Sequence, residues 1–177
     1  MRVAIIGAPG SGKTTQSQLL ASSLKIPAIS VGEMLRELAS QEGEWAQQVR
    51  EAFAAGELVS DEIVLDYLQK VLPDPAAKSG FVLDGMPRTF GEAQKLAHLF
   101  ALDRVFHLDI RLEEALKRLI PRGRGDDLPQ IIERRFAVYT REKEAIVGFY
   151  RSLGILVQID ASVPSVQVHQ EIVGNLR

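Results

Sequence analysis

Gly7-Ala8-Pro9-Gly10-Ser11-Gly12-Lys13-Thr14 sets three glycines, a cation and a hydroxyl at a spacing suited to holding a polyphosphate. Glycine lets consecutive backbone N–H groups curl around phosphate oxygens where a β-carbon would clash. Lys13 supplies a full positive charge to the β- and γ-phosphates, and a helix starting there adds the partial charge of its N-terminus. The flanks fit the same chemistry. Val3-Ala4-Ile5-Ile6 reads as a strand leading into the loop, and Thr15-Gln16-Ser17-Gln18-Leu19-Leu20 reads as the helix leaving it. A glycine-rich turn with a chance lysine would require neither flank. The reading is a loop for a nucleoside triphosphate, contacted through Gly10, Ser11, Gly12, Lys13, Thr14 and Thr15.

A second group of residues suits charge neutralisation. Phe81-Val82-Leu83-Asp84-Gly85 is an apolar strand ending in a carboxylate, the kind of position that holds a magnesium ion or its waters beside a nucleotide. Gly85-Met86-Pro87-Arg88 then brings a guanidinium to the same strand end. Arg36, Arg122, Arg124 and Arg135 are further cations, and Arg135 shares a helix face with Ile132 and Tyr139. Any one arginine reads equally well as a solvated surface charge. Together with Lys13 they match the demand of phosphoryl transfer, in which a protein mainly positions groups and neutralises spread-out charge. The three histidines fit structural or surface roles, because this chemistry does not call for imidazole. With no cysteine there is no disulfide framework, thiolate metal site or cysteine nucleophile.

The elements that must position these groups follow from patterning. Val3–Ile6, Ala28–Ile29, Phe81–Leu83, Val105–Leu108 and Ile155–Ile159 are short apolar runs without period-two alternation. Strands covered on both faces look like this, as in a parallel sheet between helices. Ser60 can cap a helix with Asp61 and Glu62 in its first turn and Val64, Leu68 and Val71 on one stripe, ended by Pro73. A long helix is predicted from Pro129 to Gly154, and a last one with Pro164 in its first turn. Strands alternating with helices predict a three-layer α/β domain with a five-stranded parallel sheet and ligands at the carboxyl ends of the strands. Residues 30–59, helical but polar, and 121–128, polar and glycine-rich, fall outside that rhythm. The 177 residues fit one domain. A net charge of −2 argues against a general nucleic-acid or membrane surface, and no apolar run approaches the roughly 20 residues of a bilayer span. Residues 1–6 lead straight into the first strand, so no leader is expected and the expected setting is the cytoplasm.

On these motifs the chain resembles an adenylate kinase of the short-lid type over nearly its whole length. The phosphate loop runs on as Thr15-Gln16, and Ile29-Ser30-Val31-Gly32-Glu33-Met34-Leu35-Arg36 matches the family's monophosphate-site helix. Ala55-Gly56-Glu57-Leu58-Val59-Ser60-Asp61-Glu62 resembles the end of that flap, and Gly80–Thr89 the family's most specific run. Arg122, Arg124, Asp126-Asp127 and Arg135 resemble the lid, about four residues shorter between the first two arginines. The lid lacks a Cys/His cluster, which excludes the zinc site of some long-lid relatives. The resemblance implies a core (1–29, 60–120, 137–177), a monophosphate-binding flap (30–59) and a lid (121–136), acting as a monomer. The implied reaction is transfer of the ATP γ-phosphoryl group to a nucleoside monophosphate without a covalent intermediate. Lys13, Arg88, Arg124 and Arg135 would be catalytic, and Arg122 would lie against the ATP base. Val31, Arg36, Glu57, Leu58, Val59, Gly85, Met86, Pro87, Arg88, Glu92, Arg124 and Arg135 would hold the monophosphate. Mg2+ would be held through Asp84, by way of water, and through Thr14.

Three positions depart from the family pattern. Thr14 replaces a usual glycine, restoring the general Gly-Lys-Thr form whose hydroxyl ligates magnesium. Val31 replaces a threonine typical of AMP users, as a small apolar residue does in the similar UMP/CMP kinases. Glu92 stands where AMP users have a glutamine reading the adenine edge. A glutamate offers acceptors only, which suits guanine's two neighbouring donors better than adenine. The residues therefore leave open CMP, UMP or GMP as acceptor in place of AMP, and a nucleotide-binding module without turnover.

Overall fold

The computed structural model describes residues 1–71, 79–124 and 127–176. Strands β1 (Arg2–Gly7), β2 (Ala28–Ser30), β3 (Phe81–Asp84), β4 (Arg104–Asp109) and β5 (Leu156–Asp160) form one sheet in the order β2-β3-β1-β4-β5. Every neighbouring pair is parallel. The register aligns Asp84 with Ile5 of β1 and with Ser30 of β2, so the carboxylate ends β3 beside the exit of two other strands.

The apolar runs lack alternation because both faces of the sheet are covered. On one face Ala4, Ile6, Phe81, Leu83 and Val105 are at most 4% exposed and share a core with three helices. These are α2 (Val31–Ala39), α4 (Asp61–Val71) and α5 (Phe90–Leu99). Tyr150 and Ile146 of α7 (Pro129–Ser152) complete that layer. On the other face Val3, Ile5, Val82, Phe106 and Leu108 pack against Leu20 and Ala21 of α1 (Lys13–Leu24) and Val168 and Ile172 of α8 (Ser165–Gly174). Burying each of the larger of these side chains stabilises the fold by about 1.5–3 kcal/mol. The predicted five-stranded parallel three-layer architecture is therefore the one observed.

Local chemistry sets the helix ends. Ser60 Oγ accepts from Ile63 N at 3.4 Å at the start of α4, as its type and position predict. Val64 and Leu68 of that helix are fully buried, and Pro73 lies outside the described residues. Pro129 occupies the first turn of α7, and Gly154 closes its far end at φ 71°, donating to Arg151 O at 3.0 Å. Strand and helix ends shift by a residue or two from the runs that predicted them. Strand β2 runs to Ser30, one residue further, because Ser30 still pairs with Asp84. Helix α8 starts at Ser165 with Pro164 just ahead of it, where a fixed φ is equally well accommodated.

Residues 30–59 fold as α2 and α3 (Glu44–Ala55), a helical excursion from the sheet. Its end leans on the start of α7: a methyl added at Gly56 would lie 3.3 Å from Ile131 O, and Arg134 pairs with Glu57 at 2.7 Å. That ion pair is largely solvated and contributes little to stability. Helix α6 (Leu112–Leu119) and a 3-10 turn (Ile120–Arg122) lead into the segment before α7. No helix among the described residues is long and apolar enough to cross a membrane.

Candidate active site

A cavity of about 970 Å³ opens at the carboxyl ends of the strands. The phosphate loop forms its floor. Gly7 passes so close to β4 that a β-carbon would sit 2.4 Å from Leu108 O, and Gly10, at φ 82°, has Ala115 Cα 3.1 Å from the place a β-carbon would take. Glycine is therefore imposed by both conformation and space. Gly10, Ser11, Gly12, Lys13, Thr14 and Thr15 all line the cavity. Ser11 Oγ is buried without a hydrogen-bond partner among the described residues, an orphaned donor in a loop shaped for anions.

Lys13 Nζ donates to Ala8 O at 2.7 Å, folded back on its own loop. Burial pulls its pKa from 10.5 down to about 8; Asp84 opposes the fall, and the charges of Arg135 and Arg122 add to it. Those causes place Asp84, Arg135 and Arg122 within electrostatic reach of one ammonium. An anion entering among them would remove the repulsion between the cations.

Asp84, 4% exposed, accepts hydroxyl hydrogen bonds from Thr14 (2.7 Å) and from Ser30 (3.0 Å) on the same oxygen, Oδ2. Thr14, the residue that departs from the family's glycine, is thus directly coupled to the carboxylate at the end of β3. Ser30 is a contact that sequence reasoning missed; its signal was the strand alignment that sets β2 beside β3. A buried carboxylate and a hydroxyl next to a phosphate loop form a donor set that fits a hard cation carrying water and phosphate ligands. No cluster of three or more acidic or histidine ligands exists among the described residues, so most of such an ion's ligands would come from the nucleotide and solvent.

Gly85, Pro87 and Arg88 continue along the cavity wall, joined across it by Arg36, Glu57 and Leu58. Arg88 Nε is buried without a hydrogen-bond partner among the described residues. Its Nη2 donates to Glu92 Oε1 at 3.1 Å, and its backbone N–H donates to Glu92 Oε2 at 2.5 Å. Glu92 is fully buried and is not among the cavity-lining residues. In this structure the Glu92 carboxylate meets Arg88 and does not border the cavity. Val31 (1% exposed), Val59 (3%) and Met86 (0%) also point into the core instead of the cavity. Apolar side chains at these three positions gain more from the layer of α2, α4 and α5 than from facing water.

Arg122, Arg124 and Arg135 also line the cavity. Asp127, 5% exposed, organises two of them. It accepts from Arg122 Nε (2.8 Å) and Nη2 (2.6 Å) in a bidentate fork and from the Arg124 backbone N–H (3.0 Å). Burial alone would raise the Asp127 pKa, but the Arg122 and Arg124 hydrogen bonds and the Arg122 and Arg135 charges outweigh it and hold the carboxyl below its ordinary value. Asp126 lies outside the described residues. Arg118 is a second residue missed at the sequence level. Its guanidinium spans Gly10 O (3.5 Å) and Ser162 O (3.4 Å), joining the phosphate loop to the cavity wall at 161–165. The only hint to Arg118 was its place one helical turn before Arg122.

His107 and Tyr139 also reach the cavity. The His107 ring, fully buried, meets Tyr139 Oη at Nε2 (2.5 Å) and Gln158 Nε2 at Nδ1 (3.5 Å). Burial drives the imidazole to about 4 despite Asp109 and raises Tyr139 well above the usual phenol range, so both are neutral at pH 7. The pair is a structural strut between β4 and α7, as expected for a histidine in a buried strand.

Comparison with known proteins bears on this geometry. The family model described as adenylate kinase matches residues 5–155, from the first strand past the end of α7. An adenylate kinase of Thermobifida fusca is 37% identical over 186 residues, covering 100% of this chain and 98% of its own. One of Stenotrophomonas maltophilia is 38% identical over 90% of each chain. Another, of Prochlorococcus marinus, is 39% identical over 89% of this chain and 87% of its own. Matching end to end, and carrying phosphate loop, strand-end aspartate and paired arginines around one cavity, this chain belongs to the adenylate kinase family and is a nucleoside monophosphate kinase by descent.

Proposed function

We propose that the chain catalyses ATP + AMP ⇌ 2 ADP by direct in-line transfer of the γ-phosphoryl group. One observation carries the reading furthest. A single cavity is lined by Lys13 and the phosphate loop, by Arg36 and Arg88, and by Arg122, Arg124 and Arg135. A hydroxyl acceptor would not need the second set of cations; a second nucleotide phosphate does. Lys13 and the loop amides follow the transferred group, and Arg36 and Arg88 grip the acceptor phosphate. Arg124 and Arg135 close on the transferring oxygens, while Arg122, braced by Asp127, supports the ATP side. Glu57, Leu58 and Gly85 shape the acceptor pocket. No general base is required, because the attacking phosphate oxygen is already ionised.

Water is the competing acceptor, so the segments 30–59 and 121–136 act as flap and lid that exclude it during transfer. Asp84, through water, and the Thr14 hydroxyl would hold an Mg2+ ion brought with the nucleotide, which would neutralise phosphate charge. The enzyme works as a monomer in the cytoplasm. The test is initial ADP formation from Mg-ATP with AMP, CMP, UMP and GMP beside a blank without acceptor. AMP-dependent ADP formation is expected; activity confined to the blank would mean an ATPase and would end the reading.

A further inference from the structure

We infer that Glu92 is a positioning residue that sets the orientation of Arg88 towards the acceptor phosphate, equally for every monophosphate, and does not read the base. The inference rests on the acceptor reading above. Both Glu92 oxygens are spent on Arg88: one takes the backbone N–H, the other takes Nη2. The carboxylate is fully buried and off the cavity surface, while Arg88 lines the cavity and keeps a buried, unpartnered Nε. One edge of the guanidinium is thus anchored and a donor is left over for a ligand. An anchored arginine loses less freedom on gripping phosphate, and a buried carboxylate beside it leaves neither charge unpaired.

The backbone holds the carboxylate in turn. Thr89 caps α5 by accepting from Glu92 N at 2.9 Å, and its hydroxyl donates to both oxygens of Asp61 at 3.0 Å. The Thr89–Glu92 spacing is that of a capping box, except that the glutamate reaches back to the N–H of Arg88, one residue before the cap. Asp61 opens α4 at the end of the helical excursion, so Arg88 is tied through three side chains to that end of the excursion. A methyl at Gly91 would come within 2.7 Å of Asp61 Oδ2, leaving little slack in the link.

The test is kcat/KM for AMP, GMP, CMP, UMP and ATP, with melting temperature, in Glu92→Ala and Glu92→Gln, each alone and combined with Arg88→Ala. Glu92→Ala should lower the acceptor kcat/KM roughly ten- to a hundredfold, the scale of hydrogen bonds to charged groups, by one factor for all monophosphates turned over. KM for ATP should not move. Glu92→Gln keeps its volume and one acceptor oxygen, so it should fall between Ala and wild type and carries the test if the alanine variant does not fold. In the Arg88→Ala background both substitutions should be silent. A changed ranking of acceptors, an equal loss without Arg88, or a lowered melting temperature with wild-type kinetics would each overturn the inference alone. Wild-type protein that transfers to no monophosphate would overturn the proposed function with it.

Discussion

Lys13→Met should abolish transfer and stabilise the protein. The methionine keeps the length of the stem and removes the ammonium. In the ligand-free protein, burial chiefly, against the pull of Asp84 and with the push of Arg135 and Arg122, lowers Lys13 from 10.5 to about 8. At about 1.4 kcal/mol per pH unit, the charged form costs about 3 kcal/mol relative to the unfolded chain at pH 7. Losing the hydrogen bond to Ala8 O offsets roughly 1–2 kcal/mol of the relief. The net gain is about 1–2 kcal/mol, which raises Tm by roughly 2–8 °C in a chain of this size. The sign has a pH signature. Because the folded pKa lies below the unfolded one, wild-type stability rises between pH 8 and 10.5, and the advantage of the methionine variant shrinks across that window. Thermal melts at pH 7 and 9.5 without nucleotide, beside a coupled ADP assay, measure both effects. Transfer should drop by about a thousandfold or more. A lower Tm at pH 7, or an advantage that grows with pH, would show that the buried ammonium carries no such cost.

Other variants probe the remaining parts. Arg88→Ala should lower kcat/KM for the acceptor by roughly a hundredfold or more and, by leaving the buried Glu92 carboxylate without its ion-pair partner, should lower Tm as well, read from steady-state kinetics and melting. Thr14→Ala removes the hydroxyl bound to Asp84; the Mg2+ concentration for half-maximal rate should rise several-fold, on the order of the one or so kcal/mol of a lost hydrogen bond, and an unchanged metal titration would remove Thr14 as a ligand. Asp127→Asn breaks the fork to Arg122 and should raise KM for ATP. Since Asp127 sits below its ordinary 3.8, the stability difference from wild type should be the same at pH 5 and 7 and fade only as the pH falls below about 4. Gly10→Ala meets Ala115 at a positive φ and should lose nucleotide binding, measured by titration calorimetry.

Some features were readable before any coordinates. The central strands were visible because strands buried on both faces must be apolar, as Val3–Ile6 and Phe81–Leu83 are. The partly exposed edge strands β2 and β5 kept short apolar runs of their own. The phosphate loop was visible because its glycines answer to backbone geometry: Gly10 can tolerate neither a β-carbon nor an ordinary φ. Asp84 followed from its place at a strand end, while its position beside the loop was set by the sheet order, which pairs β3 with β1. Local rules covered the helix caps at Ser60 and Gly154 for the same reason: their partners lie within a turn of them.

Side-chain direction was decided elsewhere. Glu92 sits where the family resemblance implies a base contact, yet Arg88 four residues earlier offers its carboxylate a buried, charge-assisted partner. Val31, Val59 and Met86 lie in motifs that suggest ligand contact, and the packing of α2, α4 and α5 turned them inward. Arg122 and Arg118 differ by one helical turn, and only the buried Asp127 and the wall at 161–165 distinguished their tasks. Residue type and spacing therefore determined which fold forms and which groups surround the cavity, because backbone conformation and burial are local or periodic demands. Which of those groups face a ligand and which brace one another was settled by tertiary structure, where long-range partners compete for each charge and each apolar surface.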